Sequence, residues 1–147
     1  STLLAIKEVG LSNLGVTIDF AHILYANEQP ALAAALIDKY SKILGLHLND
    51  GYGKRDDGMM VASVHQLATI ELLYYIKKTE YNGPIYFDTF PDTANLDPVK
   101  ECELNIDTVK KQLKIVDKLI LNNELDEAIK NQDAITAQKI FNKELYS

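Results

Sequence analysis

Three short apolar runs of this 147-residue chain each end in a side chain able to bind a metal ion. Val16-Thr17-Ile18 leads to Asp19, with His22 three residues on. Leu44-Gly45-Leu46 leads to His47, followed by Asn49 and Asp50, and Ile85-Tyr86-Phe87 leads to Asp88. If the runs are neighbouring strands of a parallel sheet, residues at their carboxyl ends converge on one crevice, however far apart they lie in sequence. Asp19, His47 and Asp88 are then expected to face a single point. Two carboxylates and one imidazole make a hard, oxygen-rich donor set. It favours Mn2+, Mg2+ or Co2+ over the metals that seek thiolates, and it leaves Zn2+ open.

Each of these residues also has an ordinary structural use, and spacing alone does not choose between the two. Asp19 at a strand end also suits a helix cap, and His22 suits a hydrogen-bonded polar group. Alternation along a strand puts His47 and Asn49 on one face and Leu48 on the other. Burying an imidazole and an amide is costly unless each finds a partner, which a metal, a bound sugar or an internal hydrogen-bond network can supply. Asp88, opening into Thr89-Phe90-Pro91, is otherwise a loop acid. The loop Gly51-Tyr52-Gly53-Lys54-Arg55-Asp56-Asp57-Gly58 mixes both charge signs with flexible glycines. That mixture suits a polyhydroxylated ligand, or a solvated loop with local ion pairs. It is not a phosphate-binding loop, because Arg55 follows Lys54 where Ser or Thr is needed. His65 reads as structural.

The elements that must position these residues follow from periodicity. Each run is succeeded by a polar stretch and then by apolar residues at helical spacing, the alternation of an α/β fold with about three parallel strands. Asn27 or Glu28 is expected to cap a helix opened by Pro30, with Leu32, Ala35, Leu36, Lys39 and Ile43 on its inner stripe. A loop over 50–62 leads to Ser63-x-x-Gln66, which reads as a capping box, with Val64, Leu67, Ala68, Leu72 and Tyr75 as the buried face. Asn82-Gly83-Pro84 announces the third strand. Asp97-Pro98 opens a longer helix with Cys102, Ile106, Val109, Leu113 and Val116 as its apolar positions, ended by Asn122-Asn123. Residues 123–147 form an expected helical tail beyond a main unit of 1–122, and 2–9 reads as a helix with no strand before it. A three-stranded parallel sheet leaves both edges unpaired, so pairing into a homo-oligomer is expected.

Composition narrows the function classes. The formal charge is −6, from 21 acidic and 15 basic residues, and no dense Lys/Arg cluster opposes it. Nucleic acid is therefore not an expected partner. The single cysteine, Cys102, allows neither an intrachain disulfide nor a thiolate cluster and fits a reducing cytoplasm. No run approaches the roughly 20 apolar residues of a membrane span, and no signal peptide is readable, so a soluble, cytoplasmic protein is expected.

With these residues in hand, the chain resembles the carboxyl-terminal half of the xylose isomerase-like (β/α)8 barrels. That superfamily of sugar isomerases and epimerases includes L-rhamnose isomerase and the D-tagatose 3-epimerases. The likeness rests on Ile18-Asp19-Phe20-Ala21-His22, His47-Leu48-Asn49-Asp50 and Tyr86-Phe87-Asp88. It implies that Asp19, His47 and Asp88 bind a divalent metal, Mn2+ foremost, and that His22 touches a substrate oxygen. Asp57 matches an acid that helps hold a catalytic water, while Arg55 stands where the rhamnose isomerase branch tends to have another acid. Asp88, His22 and Asp57 are the catalytic candidates, and His22, Asn49, Lys54 and Asp57 the candidates for binding a monosaccharide. The resemblance further implies a fourth ligand, a Glu from an upstream strand. The chain is thus expected to be the last three strand–helix units of a TIM barrel, inactive alone.

Two rivals are weighed against this. The apurinic endonucleases share the barrel and similar segments, but they add an Asp-x-His pair after the second, and no His lies here between His47 and His65. Their DNA-binding face is also basic. The other rival is a non-catalytic half-barrel that serves as an assembly or sugar-binding module.

Overall fold

The computed structural model describes residues 2–146, in the order α1 (Thr2–Val9), β1 (Val16–Asp19), α2 (Phe20–Tyr25), α3 (Pro30–Tyr40), β2 (Ile43–Leu48), α4 (Gln66–Lys78) and β3 (Ile85–Phe87), then a 3-10 turn (Pro91–Ala94), α5 (Pro98–Ile120), α6 (Asn123–Lys130) and α7 (Ala134–Leu145). The fold is α/β: three parallel strands in the order β1-β2-β3, with helices flanking an open sheet. Register pairs Asp19 with His47 and His47 with Tyr86, so the carboxyl ends of the three strands are level.

That register sorts the strand residues into two unlike faces. Ile18, Leu46, Leu48, Ile85 and Phe87 share the apolar face and join the core with Ala34, Ile37, Ile70, Leu73, Val109 and Val116 of the helices. On the other face Thr17 and Tyr86 are exposed, beside Gly45 and His47. A parallel sheet is ordinarily covered on both sides, because its connections lay helices over it. Here one face is bare and β1 and β3 are both edges.

The helices start mostly where the sequence places them, but their buried faces are turned. In α3 the cap is Gln29, whose Oε1 accepts from the Leu32 N–H at 2.6 Å, in place of Asn27 or Glu28. Ala31, Ala33, Ala34 and Ile37 are buried, whereas Leu32 and Leu36 are exposed and Ile43 belongs to β2. Small side chains let α3 approach α4 closely, so fit outweighs side-chain size. In α4 only Leu72 of the expected face is fully buried, beside Thr69, Ile70, Leu73, Tyr74 and Ile76. The capping box does not form: the N–H groups of Val64 and His65 both donate to Asp50 Oδ2 at 2.8 Å.

α5 begins as expected, with Asp97 Oδ1 accepting from Val99 and Lys100 N–H. Val109 and Val116 are buried, but Cys102 and Ile106 are exposed and the face turns toward Glu101, Asn105 and Gln112. Backbone groups explain the turn. Asn105 Oδ1 accepts from Val61 N–H at 3.0 Å, and Gln112 Nε2 reaches the Gln66 carbonyl. The expected tail forms α6 and α7, and its Leu125 and Ile140 lie in the same core as the sheet. Lys78 Nζ on α4 meets Asp126 of α6 at 2.6 Å. Among the described residues no helix is long and apolar enough to cross a membrane.

Asp97→Ala should cost about 1 kcal/mol in urea unfolding, the worth of a cap serving two N–H groups. Ser63→Ala should change stability by less than about 0.5 kcal/mol, because an exposed side chain that caps nothing is removed.

Candidate metal centre

β1, β2 and the end of β3 bring Asp19, His47 and Asp88 together. His47 Nδ1 lies 3.4 Å from Asp19 Oδ2 and 3.4 Å from Asp88 Oδ2, and the donor atoms of all three lie within 4.8 Å of one another. With bonds of about 2.1 Å, donors sharing one cation stand about 3.0–3.4 Å apart, and the two distances from His47 match that spacing. The side chains are 13% (Asp19), 35% (His47) and 41% (Asp88) exposed, leaving one side open to a ligand. Tyr86, 54% exposed on the same face, stands edge-on to His47 with ring centroids 5.6 Å apart.

The two oxygens of Asp19 are engaged differently. Oδ1 accepts from the His22 N–H at 3.1 Å and caps α2, while Oδ2 faces His47. Asn49 holds that orientation. Fully buried, it donates from Nδ2 to Asp19 Oδ1 at 3.2 Å and to the Asp88 carbonyl at 3.1 Å, and its Oδ1 accepts from Ala21 N–H at 2.8 Å. Its amide is therefore committed to the protein and, being fully buried, is not placed to contact a sugar as the sequence reading expected. Such support fixes ligand orientation and commonly matters tenfold to a hundredfold, on the order of magnitude, in metal affinity.

The loop after β2 supplies the rim, and the acid that meets His22 is Asp56. His22 Nε2 lies 3.1 Å from Asp56 Oδ2, and Asp56 Oδ1 is buried without a hydrogen-bond partner. Asp57 is engaged within its own loop, accepting from Arg55 Nε at 2.7 Å and from the Tyr52 N–H at 2.8 Å. The Arg55 guanidinium and then the Tyr52 N–H hold its carboxyl below the ordinary carboxylate range. A carboxyl so held stays ionised, which suits accepting a hydrogen bond better than shuttling a proton near neutral pH. Lys54 is exposed at the loop tip and makes no ion pair among the described residues. Gly58 needs both its glycine freedom and its missing side chain: φ is +55°, and a β-carbon would run into the Phe90 ring.

Asp56, the buttressing role of Asn49 and the aromatic face of Tyr86 are the site features that sequence reasoning missed. Tyr86 had a readable signal, since it stands two residues before Asp88 and so shares its face. The choice between the adjacent Asp56 and Asp57 had none. A separate apolar groove of about 670 Å3 lies between α1 and the end of α3, lined by Leu4, Leu11, Leu14 and Tyr40 and by none of the site residues.

Asn49→Ala should cost roughly 1–3 kcal/mol by stranding buried partners, and should weaken divalent-metal binding about tenfold or more, read by calorimetry. For Asp57 the sign follows from its depressed carboxyl. The stabilisation from the Arg55 contact is present above the unfolded value of about 3.9 and is lost as pH falls through the lower folded value. An NMR titration of the Asp57 side-chain carbon should find its midpoint below the unfolded value of about 3.9. No protein-family model matches the chain, and no curated protein matches it.

Proposed function

We propose that this chain is the carboxyl-terminal part of a xylose isomerase-like (β/α)8 barrel, and that Asp19, His47 and Asp88 hold a divalent cation, Mn2+ foremost, at which a monosaccharide is isomerised or epimerised. The observation that carries the reading is the convergence of those three donors from three strand ends, with Asn49 bracing them from behind.

The open sheet supports the barrel part of the proposal. A strand row with one covered face and two free edges is what a segment of a closed barrel presents when considered by itself. Exposed area points the same way: the chain exposes 9398 Å2, whereas a compact monomer of 16.5 kDa exposes about 7,600 Å2. The excess includes the apolar groove beside α1 and the bare face carrying Tyr86.

In this reading a bound cation polarises adjacent sugar oxygens and orients them. His22 touches a substrate oxygen, and Asp56 Oδ2 orients its ring from the loop. Asp57 and Lys54 extend the polar rim. Asp88, the more exposed of the two carboxylates, is placed to accept and return a proton, and Tyr86 offers a ring face to the apolar side of a sugar. With three protein ligands and an open sheet, this chain alone should bind metal weakly and turn over little or nothing, and the setting is a reducing cytoplasm.

The free edges and bare face also favour a second reading, a non-catalytic half-barrel that self-associates. Light scattering across a concentration series separates the two: a dimer supports edge pairing, and a monomer throughout contradicts it.

Calorimetry with Mn2+ tests the main proposal. Saturable binding by the chain, abolished in an Asp19→Ala, His47→Ala double variant, is the expected result. Binding that survives in the double variant would place the metal elsewhere, and sugar turnover at the level of a competent enzyme would contradict the incomplete-barrel reading.

A further inference from the structure

Asp50 is a fully buried carboxylate that the proposed chemistry does not use. Burying a charge is costly unless it is fully satisfied, and here four donors surround it. Oδ1 accepts from the Gly51 N–H and from His65 Nδ1, and Oδ2 accepts from the N–H groups of Val64 and His65, all at 2.8 Å. A carboxylate oxygen only accepts, so the His65 proton resides on Nδ1. The His65 ring is further held by Phe20, whose centroid is 6.4 Å away.

These bonds do not cap α4: its N-cap residue is His65, with no side-chain cap, and the Val64 and His65 N–H groups precede the first helical residue, Gln66. What the Asp50 carboxylate adds is a tie between the two ends of the loop over 51–63. Asp50 and Met59 also exchange backbone hydrogen bonds at 3.0 Å each, and the Phe90 N–H donates to the Gly58 carbonyl at 2.8 Å. Ala62, buried within the closure, is held at φ +58°, a left-handed conformation that costs a residue with a side chain. Strain of this kind persists only where neighbouring contacts over-determine the backbone. The tied loop carries Lys54, Asp56 and Asp57, and it sets Asp56 against His22.

We propose that Asp50 and His65 form a clip that holds the 51–63 loop over the crevice, with His65 a positioning residue for the rim that meets the sugar. Its consequence for sugar binding rests on the function proposed above; the clip itself rests on the geometry alone.

Hydrogen exchange on the whole chain tests it, using His65→Ala, His65→Phe, which keeps a ring against Phe20, and His65→Asn, whose Nδ2 can stand in for Nδ1. The expected result is that the Tyr52, Met59 and Phe90 amides exchange about tenfold faster or more in the Ala and Phe variants, the scale of one hydrogen bond to a charged group. They should return to near the wild-type rate in His65→Asn, with Leu46 and Leu48 unchanged throughout. Faster exchange confined to Thr69 in the first turn of α4, with the three loop amides protected as in the wild type, would reduce His65 to an ordinary helix cap and overturn the proposal. Mn2+ added to the same samples should broaden the Asp56 and Asp57 amide signals in the wild type and spare them in His65→Ala, while the Asn49 amide stays broadened in both. Absence of broadening in the wild type would count against the metal centre and leave the exchange result to decide the clip.

Discussion

One buried amide joins the three strand ends. Asn49, at the close of β2, accepts from the backbone just past β1, donates to the side chain of Asp19 and donates to the carbonyl of Asp88 beyond β3. Only a side chain that both gives and takes hydrogen bonds can do this, and a carboxylate in its place would set a second negative charge against Asp19. Because Asn49 engages Oδ1 of Asp19, Oδ2 remains to face His47. The convergence of Asp19, His47 and Asp88 thus depends on an interaction behind them, where packing holds it and water does not compete.

Asn49 and Asp50 divide the organisation of the crevice between them. The first ties the strands to one another, and the second ties the following loop to itself and to the start of α4. Within that loop, charge is settled locally. Arg55 and the Tyr52 N–H take up Asp57, which leaves Asp56 to reach His22 across 34 positions of sequence. The loop is therefore neither a loose solvated excursion nor a preformed pocket, but a rim of set shape with one buried carboxylate oxygen still unpartnered.

The strand ends were legible because each apolar run stops at a residue that hydrophobic burial alone would not select, and because a period of two assigns faces without ambiguity. The helix faces were less legible. Counting large apolar residues favours Leu32 and Leu36 in α3 and Cys102 and Ile106 in α5, yet close packing selects the alanines of α3, and backbone groups needing partners draw Asn105 and Gln112 of α5 inward. The start of α4 shows a local signal outranked by a distant one, since Ser63-x-x-Gln66 has the form of a capping box while Asp50 takes the Val64 and His65 N–H groups and the helix starts only at Gln66. In the site, the convergence of Asp19, His47 and Asp88 at neighbouring strand ends could be read from the sequence. The choice of Asp56 over Asp57 could not, because it follows from the path of a loop with no periodicity to read.

The remaining feature of the fold is its incompleteness as a sheet: a covered face, a bare face that carries the donors, and two free edges. An exposed donor set on a bare sheet is either the working end of a larger barrel or an accident of polar residues at strand ends. Crystals of the chain soaked with Mn2+ and measured for anomalous scattering distinguish these most directly. The account predicts a peak bonded to Asp19, His47 and Asp88 at about 2.1–2.2 Å. A peak bound only elsewhere, or a fully occupied soak with the three side chains left as they stand, would contradict it.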